Sequence, residues 1–320
     1  MQTDVRRIHG SDGISLHLCL WSPDSILDAK GVVQLLHGQG EYSGRYEHMA
    51  QYLTDRGFIV YANDHRGHGL TVFDAPDDVE AEHAIPGHMA DVDGWNKCLG
   101  DLGIIRDIIR SEHPTLPLTL LGHSLGSFMV QDLLIEDSAR WDAAVLLGSA
   151  GGALTAQQRA MEVVVRLQYL FKGKRGQATW TDKLVMEAFS KEIGMEKYRA
   201  EWLSHDPDVV LAAENDPMMN VIASAQHWMD LAKAIKSRAR PENIAKVRQD
   251  IPLWIASGGE DPLGQQGVAV EALGQAYRTA GLTDVTVKIY EGMRHELHNE
   301  VIREQFFGDL HAWLAEKAAA

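Results

Sequence analysis

A serine stands between glycines in Gly122-His123-Ser124-Leu125-Gly126, directly after the apolar run LPLTLL. A serine hydroxyl is a weak nucleophile until a general base takes its proton, and that base needs an acid to orient it. The pattern G-x-S-x-G has a mechanical meaning. It is a sharp strand-to-helix turn that holds the serine at its apex in a strained conformation, with glycines where side chains would collide with the neighbouring strand and helix. The bland alternative is a tight Ser-Gly turn. The required context is an apolar strand before the serine and a helix after it. LPLTLL and LGSFMVQDLLIE supply both, so Ser124 reads as a nucleophile.

The partners must lie downstream, because in a sheet of this kind the chain order is serine, acid, histidine. The apolar run IPLWIASG ends in Gly258-Gly259-Glu260-Asp261-Pro262, and the run VTVKIY ends in Glu291-Gly292-Met293-Arg294-His295-Glu296. A carboxylate and a histidine just past the carboxyl ends of parallel strands face the same rim as the serine turn. Glu260 neighbours Asp261, but its side chain points the other way if the turn is extended; position leans toward Asp261, and the family resemblance given below implies it. The group His-Glu-Leu-His at 295–298 also suggests metal ligands. His-x-x-His without further Cys, His or Asp support is a weak metal signal, and His298 reads as a solvated residue at a helix start.

The elements that must position these groups follow from periodicity. VRRIH and ISLHLCLW flank a Gly-Ser-Asp-Gly turn and predict a hairpin. GVVQLLHG, GFIVYAND, LPLTLLG, AAVLLG, IPLWIASG and VTVKIYEG are unalternated apolar strands. Helical spacing covers 46–56, 92–112, 124–136, 268–279 and 301–317. This is an α/β chain with a mostly parallel sheet covered by helices on both faces, and the hairpin adds an antiparallel edge. Residues 70–90 read as a long polar loop. From 151 to 250 no good strand appears; Asp206-Pro207 and Asp216-Pro217 each resemble a helix N-cap followed by proline at the first helical position. The expected division is a core of 1–150 and 251–320 with a helical cap inserted at 151–250.

Composition narrows the partners. The 320 residues carry a net charge of -15, which repels phosphate backbones and argues against nucleic acid and against stable docking on anionic lipid through a basic face. Cys19 and Cys98 read as buried small hydrophobes rather than a disulfide. No apolar signal core opens the chain and no run approaches a membrane span, which predicts a cytoplasmic protein.

Four blocks make the sequence resemble a known group: LLHGQGEYSGRY at 35–46, YANDHRGHG at 61–69, LLGHSLGS at 120–127, and GGEDPL with EGMRHELHNE near the end. The chain resembles the α/β-hydrolase superfamily and, within it, the monoglyceride lipase and lysophospholipase group of serine hydrolases, also classed with the S33 serine aminopeptidases. The resemblance implies an α/β-hydrolase fold, Ser124 as nucleophile, Asp261 as acid and His295 as base. It implies an oxyanion hole made by the backbone N–H groups of Gln39 and Leu125, and a reaction with no metal or cofactor. His37 and Gly38 would shape the oxyanion loop, Glu41 and Arg45 would brace it or form a solvated pair, and DHRGHG would brace the floor of the site. Departures from the group touch the pocket wall: Ser127 where many relatives have glycine, glutamine at 39 in place of a small residue, and a longer loop after Gly69.

The expected substrate is a small lipophilic ester such as a monoacylglycerol or lysophospholipid. The apolar stretch AMEVVVRLQYLF at 160–171 can line an acyl pocket, pack on the core, or make transient contact with a lipid surface, with the basic KGKR at 172–175 near headgroups. Two rivals stand. A serine aminopeptidase would need cap carboxylates for a free amine, with Glu187, Glu192 and Glu214 as candidates, and a non-catalytic binding module would keep only the fold. Epoxide hydrolases and dehalogenases use an aspartate nucleophile, which disfavours them.

Overall fold

In the computed structural model, which describes residues 1–76, 80, 82–151, 156–195 and 197–318, the apolar runs form one eight-stranded sheet in the order β1-β2-β4-β3-β5-β6-β7-β8. β1 (Gln2–His9) and β2 (Ser15–Ser22) are the antiparallel hairpin, and β2 also pairs antiparallel with β4 (Phe58–Asn63). β3 (Gly31–Leu36), β5 (Leu118–His123), β6 (Ala143–Leu147), β7 (Leu253–Gly258) and β8 (Val285–Tyr290) run parallel with β4 and with one another. Every residue of β3 to β7 is buried, which explains why these strands read as continuous apolar runs.

The helices are α1 (Glu47–Thr54), α2 (Gly69–Phe73), α3 (Gly94–Glu112), α4 (Leu125–Asp137), α5 (Ala156–Lys172), α6 (Thr179–Ile193), α7 (Pro207–Asn215), α8 (Ala225–Arg238), α9 (Pro241–Ile244), α10 (Val268–Thr279) and α11 (Arg303–Ala318). Alternate residues of one strand feed different layers. Val32 and Leu36 join Trp95, Leu102, Leu133 and Tyr277 on one face, whereas Val33 and Leu35 join Leu53, Phe306 and Trp313 on the other. Full burial of a side chain of this size is worth about 1.5–3 kcal/mol, so the two layers fix the sheet between them.

The chain leaves β3 for β4 on one side and reaches β5 on the other, so the strand order reverses at β3. In such sheets a crevice opens beyond the carboxyl ends of the strands at the reversal. Between β6 and β7 lie α5 to α9 and a 3-10 turn at Arg199–Trp202. Among the described residues this insertion holds no strand, only an isolated bridge between Gln177 and Ser224. It has a small core of its own, formed by Ala200, Leu203, Val210, Ala213 and Met219.

Two local expectations are corrected. The polar stretch after Gly69 begins as the short helix α2, because Oδ2 of Asp64 accepts from the Leu70 N–H at 2.7 Å and caps its first turn. Residues 77–79 and 81 of that stretch lie outside the described residues. Asp206 does cap α7 ahead of Pro207, but Asp216-Pro217 opens no helix. Asp216 ends α7, and its Oδ1 accepts from the Met218 N–H at 2.8 Å, which closes a turn instead.

Candidate active site

Ser124 occupies the turn between β5 and α4 with φ 53° and ψ −116°, a conformation that costs a non-glycine residue strain. The surroundings enforce it. The Ser124 N–H donates to the Leu147 carbonyl at 2.9 Å. A β-carbon on Gly122 would come within 2.4 Å of the Gly126 carbonyl, and one on Gly126 within 2.2 Å of the Leu36 carbonyl. Both flanking glycines are therefore required by backbone packing. The Ser127 hydroxyl donates to the Ser124 carbonyl at 2.6 Å and lies 2.8 Å from the Ser149 hydroxyl.

Asp261 lies in the turn after β7 and His295 in the turn after β8. Nδ1–H of His295 donates to Oδ2 of Asp261 at 2.8 Å, and both residues are buried. Asp261 is itself held by the Ser257 hydroxyl at 2.9 Å and the Leu263 N–H at 2.9 Å. Burial alone would push the Asp261 carboxyl up, but His295 and these donors outweigh it and the pKa falls below the ordinary value. Burial would likewise push His295 down; the carboxylate of Asp261, helped by Glu296 and Glu41, raises it above the ordinary histidine value. Nε2 of His295 is buried and has no hydrogen-bond partner among the described residues. The His295 ring lies 4.6 Å, centroid to centroid, from the ring of His123, the neighbour of Ser124. Glu260 is instead exposed and faces His205 at 3.1 Å.

Gln39 sits in the loop after β3, and Leu125 is the first residue of α4. The first amides of a helix have no intrahelical partner. Among the described residues, no protein acceptor takes the N–H of either Gln39 or Leu125. The arrangement brings a strained serine, a charge-oriented imidazole and two unpaired amides to one rim, which is a constellation suited to acyl transfer.

The loop carrying Gln39 is braced from within the protein. Oε1 of Glu41 accepts from the Gly38 N–H at 2.5 Å, the Tyr46 hydroxyl at 2.7 Å and Nδ1–H of His123 at 2.9 Å. Its Oε2 accepts from Arg45 at 2.8 Å, and Arg45 reaches on to Glu296, beside His295, at 2.7 Å. Burial pushes the Glu41 carboxyl up, but His123 and Arg45 outweigh it and hold it well below its ordinary range. The Glu41–Arg45 pair is thus buried rather than solvated, with Glu41 3% and Arg45 10% exposed. DHRGHG braces the floor beside it. Nε2 of His37 accepts from the His65 N–H at 2.9 Å, Asp64 accepts from the Ser43 N–H at 2.7 Å, and Arg66 pairs with Asp101 and Asp12.

With this geometry in place, the comparisons with known proteins decide the family. A family model described as serine aminopeptidase, S33, matches residues 28–302. The chain belongs to the serine aminopeptidase S33 family. A protein of Mycolicibacterium smegmatis named monoacylglycerol lipase is 27% identical, covering 95% of this chain and 94% of its own length. The human protein named monoglyceride lipase is 23% identical, over 99% of this chain and 92% of its own. Among solved structures, a thermostable carboxyl esterase from Bacillus coagulans superposes with a TM-score of 0.86 at 26% identity, covering 99% of each chain. The fold is the α/β-hydrolase fold.

For this member of the S33 family, several site residues escaped the sequence reading. His298 is corrected from a solvated position: it is fully buried, stacked on Tyr46 at 4.3 Å and edge-on to His123 at 4.8 Å. Trp202, from the insertion, lies 4.5 Å from the His295 ring. Around it the insertion is joined to the histidine loop: the Glu296 N–H donates to the Leu203 carbonyl at 2.8 Å, and Arg294 to the Glu201 carbonyl at 2.6 Å. His123 and Glu296 stand next to motif residues, and that adjacency was the available signal; Trp202 offered none. Of the three carboxylates considered for a free amine, Glu214 accepts from the Ala200 N–H and Glu187 faces Lys183. Partial burial raises the pKa of the Glu192 carboxyl, and the charge of Asp261 raises it further. Other clusters with metal-ligand atoms exist, such as Glu82, His88 and Asp91, but Lys174 and Arg175 already pair with Asp91. Among the described residues no helix is long and apolar enough to cross a membrane.

Proposed function

We propose that Ser124, Asp261 and His295 form the catalytic triad of a carboxylic ester hydrolase. The single observation that carries the reading is the buried Asp261–His295 bond at the same rim as the strained Ser124 turn. His295 takes the Ser124 proton as Oγ attacks the ester carbonyl. The oxyanion rests on the N–H groups of Gln39 and Leu125. His295 then protonates the leaving alcohol, and Ser124 keeps the acyl group. Water, deprotonated by His295, attacks that acyl-enzyme, the acid leaves, and Ser124 regains its proton. Asp261 holds the imidazole and stabilises its positive form throughout.

We infer that the substrate is a small lipophilic ester, a monoacylglycerol or a lysophospholipid, and that residues 151–250 act as a cap over the site. Relatives named monoacylglycerol lipase and monoglyceride lipase support the first part. The surface of the cap supports a transient lipid contact. On α5, Val165 is buried, but Leu167, Leu170 and Phe171 are exposed, the last two at 77%, and Trp180 and Leu184 of α6 are exposed as well. Solvent-facing apolar residues grouped at this density mark an interaction surface. Residues 152–155, and the side chains of 156–160, lie outside the described residues. The basic residues Lys174 and Arg175 are engaged with Asp91, so the contact rests on apolar burial more than on headgroup charge. The two free, buried cysteines fit a cytoplasmic setting.

Ser124→Ala is expected to abolish esterase turnover and labelling by a fluorophosphonate probe; labelling that persists in the variant would refute the assignment. A panel of esters of graded acyl length against amino-acid amides then ranks the substrates. Preference for amides would support the aminopeptidase reading, and no turnover of any substrate would support the binding module.

A further inference from the structure

We propose that Tyr42 is a positioning residue for the oxyanion hole, and that it acts by bolting the oxyanion loop to the cap. The proposal rests on the reading of Gln39 as an oxyanion donor. Tyr42 has an extended backbone, φ −156° and ψ 166°, so its side chain points away from that of Glu41. Glu41 turns inward to the buried network under the loop, and Tyr42 turns outward to the cap. Its hydroxyl donates to Oδ2 of Asp216 at 2.7 Å. Oδ1 of Asp216 is held by the Met218 N–H, so the acceptor is fixed by its own turn.

The ring of Tyr42 packs against the small cap core of Ala200, Leu203, Val210, Ala213 and Met219. It reaches this core from the hydrolase core, where it belongs to the loop that carries Gln39. Trp202 packs against the same cluster and lies tilted against the His295 ring at 4.5 Å, so one small apolar unit touches both the oxyanion loop and the base. The chain beyond Asp216 closes the contact. Asn220, at φ 59°, donates to the Ala213 carbonyl at 2.8 Å, and a β-carbon on Gly40 would lie 3.6 Å from the backbone of Val221. Burial and the neighbouring Asp216 push the Tyr42 phenol up to about 12, so it remains a donor across the working pH range.

The loop is therefore clamped from below by Glu41 and from above by Tyr42, with Gln39 between. Oxyanion stabilisation is felt in the transition state and hardly at all in the ground state. Loosening the upper clamp should lower kcat and leave KM nearly unchanged.

The experiment compares Tyr42→Phe, Asp216→Asn and the double variant with the wild type. Readouts are kcat and KM on p-nitrophenyl acetate, the rate of fluorophosphonate labelling, and the melting temperature. The acetate ester places no long chain under the cap, so acyl binding does not enter. Tyr42→Phe is expected to lower kcat and the labelling rate about tenfold with KM within about twofold. Asp216→Asn, whose amide can keep a hydrogen bond to the phenol, is expected to retain most of the rate, and the double variant to be no worse than Tyr42→Phe. Should Tyr42→Phe not fold, Asp216→Ala removes the same bond and is read the same way. An unchanged kcat with a lowered melting temperature would overturn the proposal, since it is the mark of a purely structural role. A wild type that is neither labelled nor active, or a Ser124→Ala variant that still labels, would instead overturn the triad itself.

Discussion

Replacing Glu41 by glutamine keeps the shape of the side chain and removes a buried charge. Oε1 now takes three hydrogen bonds, and Oε2 takes one from Arg45. A hydrogen bond to a charged group is worth about 1.5–3 kcal/mol against about 0.5–1.5 for a neutral one, so each bond weakens by about 1 kcal/mol. The new amide also turns a donor toward the Arg45 guanidinium. Arg45 keeps Glu296, which spares it most of the roughly 3–5 kcal/mol cost of an orphaned buried ion. Over the four bonds the expected loss is about 4 kcal/mol, a large share of the roughly 5–15 kcal/mol that holds a typical protein folded. The melting temperature should drop by about 5–10 °C. The bond from the Gly38 N–H is the one that sets the loop in front of Gln39. A displaced oxyanion donor costs up to about a hundredfold in rate. For Glu41→Gln, kcat on p-nitrophenyl butyrate should fall about 10- to 100-fold with KM changed less than about threefold. The assay is steady-state hydrolysis well below the variant's melting temperature, beside a thermal melt. A variant that melts lower but turns over within about twofold of the wild type would refute the reasoning, because it would separate the network from the oxyanion loop.

Other expectations follow from the same geometry. His295 must be neutral to act as base, and its pKa lies above the ordinary value, so kcat/KM should fall on the acid side with a midpoint above about 6.5. Asp261→Asn removes the group that raises it and leaves burial, which lowers it; the acid limb should move down in pH while kcat drops by up to about 10,000-fold, as in serine triads generally. The raised His295 stabilises the fold below its unfolded pKa and loses that contribution as pH rises through the folded value, whereas the lowered Asp261 contributes above its unfolded pKa and loses it as pH falls through the folded value. A pH-rate profile of both proteins checks the first two statements. The double variant Leu170→Glu with Phe171→Glu should lose co-sedimentation with neutral phosphatidylcholine vesicles and activity on emulsified monoacylglycerol, yet keep its kcat on soluble p-nitrophenyl acetate. Unchanged vesicle binding would count against the lipid contact.

The sequence by itself determined the elements and the order of the groups that matter. Unalternated apolar runs are dictated by strands buried on both faces, and the glycines around Ser124 by backbone approaches of 2.2 and 2.4 Å that admit no side chain. Asp261 and His295 were legible because each follows the end of a parallel strand, where the chain must turn toward the crevice. Tertiary structure alone decided what those groups lean on. Whether Glu41 and Arg45 met water or each other depended on Glu296, some 250 residues away in the chain. His298 looked solvated because its neighbours in sequence are polar, and it is buried because Tyr46 stacks on it from a distant loop. Asp216-Pro217 carried the same local signal as Asp206-Pro207, yet only the latter starts a helix; the other ends one and receives the Tyr42 hydroxyl. Local spacing fixes backbone conformation within a few residues, because that is the range of turns, caps and strand periodicity. Burial and charge pairing are properties of segments that meet only in the folded chain, and the packing of the insertion against the loops of Tyr42 and His295 is of that kind.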